Sequence, residues 1–402
     1  MRVRPGKVAA LLVGIGLAGA ASARAQTLAD LFDVTTLQEI RLSVNSRDLK
    51  LLHQDYQLNT HYTADFQWRG VKVRNVAIRS RGSGSRNPIK VGLLVEFNRY
   101  TTGQRFLGLS AIVLRNGWQD PSLMHNKLAF WMFEQMGLTA PRESFCRLFI
   151  NNEYQGVYTI TEQVDGNYVT RVTGETDGTL FEFHWGADRI FHAEDRGGID
   201  AYKPMFEART HVLDADTTLY SPIVNLFHEV NGPDDAVWRS RVEQYIDLNE
   251  FVTHAAVEMF VAENDGILGY AGMNNFYLYR FQGTTRQRLF VWDKDNAFIG
   301  LDTPIRITDD NVLFARAMTY PDLRETYLQA LEQCARLTAG DGGMASQIDQ
   351  IMSVMADAAR ADTKKQFTND EFDAGVQLLR DFAARRPQQV LDAATRIRLT
   401  GS

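Results

Sequence analysis

The chain has 402 residues, 45% of them hydrophobic and 23% charged, with a net charge of −6 and two cysteines. This supplies enough apolar material for two domains or one large two-lobed one. It excludes a cysteine-stapled scaffold, and the negative balance disfavours nucleic acid or an anionic membrane as a partner.

Arg2, Arg4 and Lys7 precede an apolar run from Val8 to Ala20 that ends at Ala23-Arg24-Ala25, the pattern of a secretory signal peptide. Residues 1–25 are predicted to be removed, which leaves a mature chain starting at Gln26 in the periplasm or outside the cell. Loss of four cations would take the net charge from −6 to −10. No later segment has the 18 or more apolar residues of a membrane span.

From Leu37 to Asp165 the chain reads mainly as strands. Ile40, Leu42 and Val44 alternate, Phe66 to Trp68 and Val71 to Ile78 flank a turn at Arg69-Gly70, and Lys90 to Phe97 and Phe106 to Leu114 follow. Between them lies Gly82-Ser83-Gly84-Ser85, flanked by Arg79, Arg81 and Arg86, a composition able to cradle phosphate. Pro121 opens a predicted helix closed by Gly137, and strands Cys146 to Ile150 and Tyr154 to Thr161 meet at Asn151-Asn152-Glu153. A mostly antiparallel sheet carrying one helix is expected.

Asp247 and Glu250 read as a capping box opening a helix that runs to Glu263-Asn264-Asp265-Gly266. Phe276 to Tyr279 and Leu289 to Trp292 then form a predicted hairpin around Gln282-Gly283-Thr284. A hairpin returns the chain to the end it left, so Asn274 and Asn275 should lie beside Asp293, with Asp295 close behind. If Asp265 folds over the same end, three carboxylates and two amides converge with Lys294 as the local cation. Hard oxygen ligands of that kind suit Mg²⁺ or Mn²⁺.

Beyond Gly300, three amphipathic patterns over Tyr327 to Leu337, Ile348 to Ala358 and Phe372 to Val390 predict a helical bundle. The arginines of the last helix, Arg386 among them, read as partners of its dipole. Cys146 and Cys334 read as buried thiols more readily than as a disulfide. No zinc spacing of histidines and no G-x-S-x-G elbow is present. The stretch Gly178 to Asp200 could line an acceptor cleft.

The succession Arg79-x-Arg81-Gly82-x-Gly84-Ser85-Arg86, Lys90, Asn151-Asn152-Glu153-Tyr154-x-Gly156-Val157-Tyr158 with Glu162, Asp265-Gly266, Asn274 to Tyr279 and Trp292-Asp293-Lys294-Asp295-x-Ala297-Phe298 resembles the CotH kinase family. The resemblance spans roughly residues 40–300. It implies an α+β fold, two-lobed and protein-kinase-like. The small antiparallel-sheet lobe (33–165) would hold the nucleotide, and the larger, mainly helical lobe (166–400) would carry the catalytic and metal-binding motifs.

It further implies ATP and Mg²⁺ or Mn²⁺ as cofactors, with Arg81 in the phosphate loop and Lys90 on the nucleotide phosphates. Glu162 and Gln163 would meet the adenine at the hinge. Asp265 would be the catalytic-loop aspartate, and Asn274 or Asn275 with Asp293 and Asp295 would bind metal. The family often has an acid in the small-lobe helix. Here that segment reads Met124-His125-Asn126-Lys127, so Asn126 is expected to accept a hydrogen bond from Lys90 without adding charge.

The function expected is transfer of phosphate to hydroxyl side chains of a secreted or surface protein. The alternative is a catalytically degenerate kinase fold serving as a binding or surface-assembly module. The sequence is silent on oligomeric state.

Overall fold

The computed structural model describes residues 26–234 and 236–401; the predicted signal peptide lies outside them. Seven strands close into a barrel: β1 (Gln38–Val44), β2 (Tyr62–Trp68), β3 (Val71–Ser80), β4 (Leu93–Glu96), β5 (Ala111–Arg115), β6 (Glu143–Ile150) and β7 (Glu153–Glu162). Their order around the barrel is β1, β2, β3, β4, β5, β7, β6. Neighbours are antiparallel except β1 and β6, whose parallel pairing sets Ile40 opposite Leu148 and closes the sheet.

Alternation in each strand sends one face inward. Phe66, Trp68, Phe97 and Phe106 meet there, with Phe66 and Phe97 edge to face at 5.2 Å. The hairpin turns fall where expected. Arg69 and Gly70 adopt φ of 44° and 84°, and Asn151 and Asn152 adopt 50° and 68°, the double positive φ that a two-residue turn between twisted strands requires.

Three helices accompany the barrel: α1 (Leu28–Leu31), the unpredicted α2 (Ser46–Gln54) and α3 (His125–Gln135). The α3 helix starts four residues after Pro121, because Leu123 takes φ of 62° and Asp120 caps the helix instead, accepting from the His125 amide at 2.7 Å. Although α3 lies between barrel strands in sequence, Leu128, Phe130, Met132 and Phe133 are buried in the core of the helical lobe.

After α4 (Gly166–Thr173), a second, four-stranded antiparallel sheet forms from β8 (Thr179–Phe183), β9 (Phe206–Ala208), β10 (Phe276–Arg280) and β11 (Gln287–Val291), ordered β11, β10, β8, β9. The predicted hairpin is β10 and β11, with Phe276 opposite Val291. Its Tyr277, Tyr279 and Phe290, with Trp292 just beyond, pack on Leu94 and Val113 of the barrel and join the lobes through one apolar layer.

Between the strands run α5 (Ile199–Tyr202), α6 (Asp216–Val230), α7 (Trp238–Val242) and α8 (Leu248–Phe260). Then come α9 (Val312–Ala317), α10 (Pro321–Ala339), α11 (Met344–Arg360) and α12 (Asn369–Thr400), the last three matching the three predicted patterns. Both cysteines are buried and free.

The connection between α11 and α12 reaches back to the barrel. Asp362 Oδ2 accepts from Lys90 Nζ at 2.7 Å and from the Val157 amide at 3.1 Å. Gly156 (φ 113°) makes room, since a Cβ there would lie 2.2 Å from the Asp362 carboxylate.

Candidate active site

Three chain segments meet where β5, α8 and the hairpin end. The first is the loop after α8. Asp247 caps the helix through the Asn249 and Glu250 amides, while Glu250 pairs with Arg288 rather than closing the predicted box. At the other end, Arg386 of α12 donates from Nε to Phe260 O at 2.9 Å and from Nη2 to Met259 O at 2.7 Å. It therefore satisfies the Phe260 carbonyl that the helix end leaves unpaired and adds a second donor to Met259 O, which the Ala262 amide also reaches at 3.3 Å. Burial lowers its pKa to about 10. The sequence assigned Arg386 to the dipole of its own helix; it caps another.

The chain then turns through Ala262, in the left-handed region at φ 52°, and delivers Asp265. Gly266 is required next, because a Cβ there would meet the Glu258 carboxylate at 2.1 Å. Glu258 is sealed in α8 and accepts from the Ile267 amide at 2.7 Å and from Lys294 Nζ at 2.9 Å. Burial would raise its pKa, but Lys294 and His254 hold it at about 2. Lys294 is thus spent on Glu258 beneath the site and does not face the aspartates as an open cation.

The second segment is the hairpin base. Asn274 Nδ2 donates to Asp265 Oδ1 at 3.0 Å, and Asn275 Nδ2 to Asp265 Oδ2 at 3.0 Å. Both amide N–H groups face Asp265, which leaves the Oδ1 oxygens as the available ligand atoms. Asn275 and Asp293 both hold positive φ, 57° and 46°. Such backbone in residues other than glycine costs about 1 kcal/mol or more and persists where a site imposes it.

The Asp293 and Asp295 carboxyls act directly on one another. Burial and the Asp293 charge push Asp295 well above the carboxylate range; Arg115 and Arg81, acting against burial, hold Asp293 at about 2. Two half-buried carboxyls this close favour either a shared proton or a cation between them. The donor chemistry fits a hard divalent ion on Asp293 and Asp295 with an amide oxygen from Asn274 or Asn275. Asp265 stands alongside, its pKa raised by burial and the Asp293 charge against the amides and Lys294.

The third segment is the end of β5. Arg115 Nη1 donates to Asp293 Oδ1 at 2.6 Å, and its Nε lies 3.8 Å from Glu143. Burial raises Glu143 to about 7, against the pull of Arg115. Arg81, in the predicted phosphate loop, and Arg115 both lie over the Trp292 ring, at 5.2 and 4.7 Å. A Cβ at Gly84 of that loop would lie 3.3 Å from the Gln119 side chain. A cleft of about 370 Å³ opens beside the site, lined by Arg81, Ser83, Trp185, Asn274, Asn275 and Asp293 among others. Trp185 brings the 178–200 stretch to the wall of this cleft.

The structure therefore gathers Asp265, Asn274, Asn275, Asp293, Asp295 and Arg81 at one place. It does not bring Lys90 there: the ammonium is sealed from water and committed to Asp362 and to Val157 O at 2.8 Å. Asn126 does not meet Lys90 either. Its Oδ1 accepts from the Lys294 amide at 2.7 Å, and His125 Nδ1 contacts Asp295 O at 2.9 Å, so α3 buttresses the aspartate turn from below.

Glu162 is occupied as well. Arg142 Nη2 and Arg171 Nη2 each donate to its carboxylate at 2.6 Å, and its own amide donates to Arg142 O, leaving no free donor for an adenine. Gln163 follows it, half-buried, with Nε2 on Val164 O. Sequence reasoning missed Arg115, whose only local signal was a cation directly after the apolar run Ala111 to Leu114.

Among the described residues, the three-residue His and carboxylate group with ligand atoms within 4.8 Å is Glu182, His184 and Glu207, at the cleft edge. Arg209 pairs with both glutamates and already supplies the positive charge a metal would bring.

The model of the CotH kinase protein family matches residues 78–390. The chain belongs to the CotH kinase family. This CotH-family chain is 23% identical to the inner spore coat protein H of Bacillus subtilis over 365 residues, which cover 88% of the chain and 96% of that protein. It is 22% identical to invasin CotH2 of Rhizopus delemar over 220 residues, and 23% identical to invasin CotH3 over 188, spanning about a third of each invasin. The crystal structure of the Helicobacter pylori proinflammatory kinase CtkA aligns over 77% of the chain at 9% identity and a TM-score of 0.35, a likeness too slight to build on.

The barrel with its larger, mainly helical partner lobe is the α+β, two-lobed arrangement that was expected.

Proposed function

We propose that the protein is an exported kinase that uses Mg-ATP, or Mn-ATP, to phosphorylate hydroxyl side chains of a secreted or surface protein. One observation carries this reading: Asp265, with its carboxylate gripped by the Asn274 and Asn275 amides, stands beside the Asp293 and Asp295 pair at the open cleft. A base, two metal-ligating acids and two amides are the parts that phosphoryl transfer needs, and family membership supplies the reaction class.

In this reading an acceptor hydroxyl enters the cleft past Trp185 and donates its hydrogen bond to Asp265. The raised pKa of Asp265 makes it a better proton acceptor than an exposed aspartate. The hydroxyl oxygen bonds to the γ-phosphorus as the bond to the β,γ-bridging oxygen breaks; Asp265 takes the proton and ADP leaves. A divalent ion on Asp293 and Asp295 would neutralise charge on the phosphate oxygens. Asn274 and Asn275 fix the Asp265 carboxylate so that little reorganisation accompanies transfer.

Export rests on the predicted signal peptide, and an outward-facing acceptor is in keeping with spore-coat and invasin relatives. The experiment is thermal melting with and without Mg-ATP, followed by a labelled γ-phosphate assay. Nucleotide at about 100 times its dissociation constant adds roughly 2.7 kcal/mol of stability. No shift at millimolar Mg-ATP would turn the assignment to the degenerate binding or assembly module. Transfer that survives both Asp265→Ala and Asp293→Ala would remove the catalytic roles.

A further inference from the structure

Arg115 is nine-tenths buried, with a side-chain exposure of 10%, yet only Nη1 is hydrogen-bonded; Nε and Nη2 are enclosed and have no partner. A guanidinium has five N–H donors, and orphaning them away from water is unfavourable because the lost hydration is not replaced. Glu143 does not relieve the debt: its Oε1 is 3.8 Å from Arg115 Nε and accepts from Thr161 Oγ1, while Oε2 is itself unpaired. Arg115 itself lines a small cavity with Arg81, Ser85, Asn116, Asn126 and Asp295, between the phosphate loop and the aspartate turn.

A second observation is independent of the first. Among the described residues the half-buried Arg81 guanidinium makes no hydrogen bond or ion pair, and it shares the Trp292 ring with Arg115, where burial and the like charge of Arg115 lower its pKa. Two guanidiniums held side by side, one open to the cleft and the other with unpaired donors, offer an anion converging charge and N–H groups. Asp293 hydrogen-bonds Arg115 alone and offsets the two cations with a single negative charge.

We infer that Arg115 and Arg81, stacked on Trp292, form the clamp that grips the terminal phosphoryl oxygens of the nucleotide, the role a lysine was expected to fill. The inference rests on the kinase reading above. Arg115 contributes Nε and Nη2 to phosphoryl oxygen while Nη1 stays on Asp293, so the residue that reads the phosphates is physically coupled to the metal-binding acid. Arg81 approaches from the loop side.

The test is calorimetric titration of the mature protein with Mg-ATP and, separately, with adenosine, which has the same base and sugar but no phosphate. Arg115→Met should lower Mg-ATP affinity at least about 50-fold and leave adenosine affinity unchanged, while Arg115→Lys, which keeps the charge and loses the fork, should lower it about 10-fold. If Arg115→Met does not fold, Arg115→Lys and Arg81→Lys carry the test. Variants that bind Mg-ATP as tightly as the wild type overturn the clamp and leave the kinase reading standing. A wild-type protein that binds no Mg-ATP overturns both. Equal losses for Mg-ATP and adenosine would also overturn the clamp, because the arginines would then act on the fold.

Discussion

Lys90 Nζ and Asp362 Oδ2 lie 2.7 Å apart, both sealed from water, and tie the barrel to the connection between the last two helices. Burial lowers the Lys90 pKa against the pull of Asp362, as expected for an ammonium kept charged by one partner. Breaking such a pair strands a buried charge at a cost of about 3–5 kcal/mol. Lys90→Met should therefore be destabilised by that amount in urea titration. Adding Asp362→Asn should recover about 1 kcal/mol or more of the summed loss. Mg-ATP affinity of folded Lys90→Met should stay within about twofold of wild type; a loss on the scale of a phosphate contact would return Lys90 to the nucleotide.

Asp265 and Asp293 occupy one site and should fail differently. Asp265→Asn keeps the Asp293 and Asp295 pair, so Mg-ATP should still raise the melting temperature while labelled phosphate transfer drops about 100-fold or more. Asp293→Asn removes the acid that faces Arg115, so the Mg²⁺-dependent part of the melting shift should vanish along with transfer. The reverse pattern would exchange their roles.

Glu162 predicts an acid response. Burial opposes its ionisation, but Arg142 and Arg171 overcome this and lower the folded pKa below its ordinary value of 4.5. A carboxyl with a depressed folded pKa contributes stability above its ordinary pKa and loses it as pH falls through the folded value. At pH 7, Glu162→Gln should be less stable by about 2–3 kcal/mol, discounted for the partial exposure of both arginines. The gap to wild type should close as pH falls below about 4, measured by urea titration across pH. A constant gap would mean that Glu162 acts by packing alone.

Arg386 predicts a link between the last helix and the catalytic loop. Arg386→Met leaves the Phe260 carbonyl at the end of α8 unpaired and the Met259 carbonyl with only its backbone partner, and should cost about 2–4 kcal/mol. Hydrogen exchange of the 261–267 amides should quicken more than that of the barrel. Arg386→Lys should rescue little, since one ammonium cannot reproduce three separate N–H directions. Uniform exchange across the molecule would leave Arg386 as an anchor of α12 only.

Local pattern was enough to identify the strands of the barrel, the two-residue turns, the base hairpin and the three C-terminal helices. The residues that decide these, such as Asn151-Asn152 and the aromatic run Phe276 to Tyr279, act on neighbours a few positions away. The meeting of Asn274 and Asn275 with Asp293 followed from the same short-range geometry. Barrel closure did not, because the parallel pairing of β1 and β6 joins strands about a hundred residues apart. Periodicity shows which face of a strand is buried and says nothing about which strand lies beside it.

Charge partners were least legible of all. Lys90 finds Asp362 across 272 residues, Arg115 finds Asp293 across 178, and Arg386 reaches Phe260 O across 126. A lysine or arginine carries the same charge whether it faces phosphate, a carboxylate or a helix end. Composition and motif order therefore determined the family and the set of acids; only the tertiary fold decided which cations were already spent on the protein and which remained for a ligand.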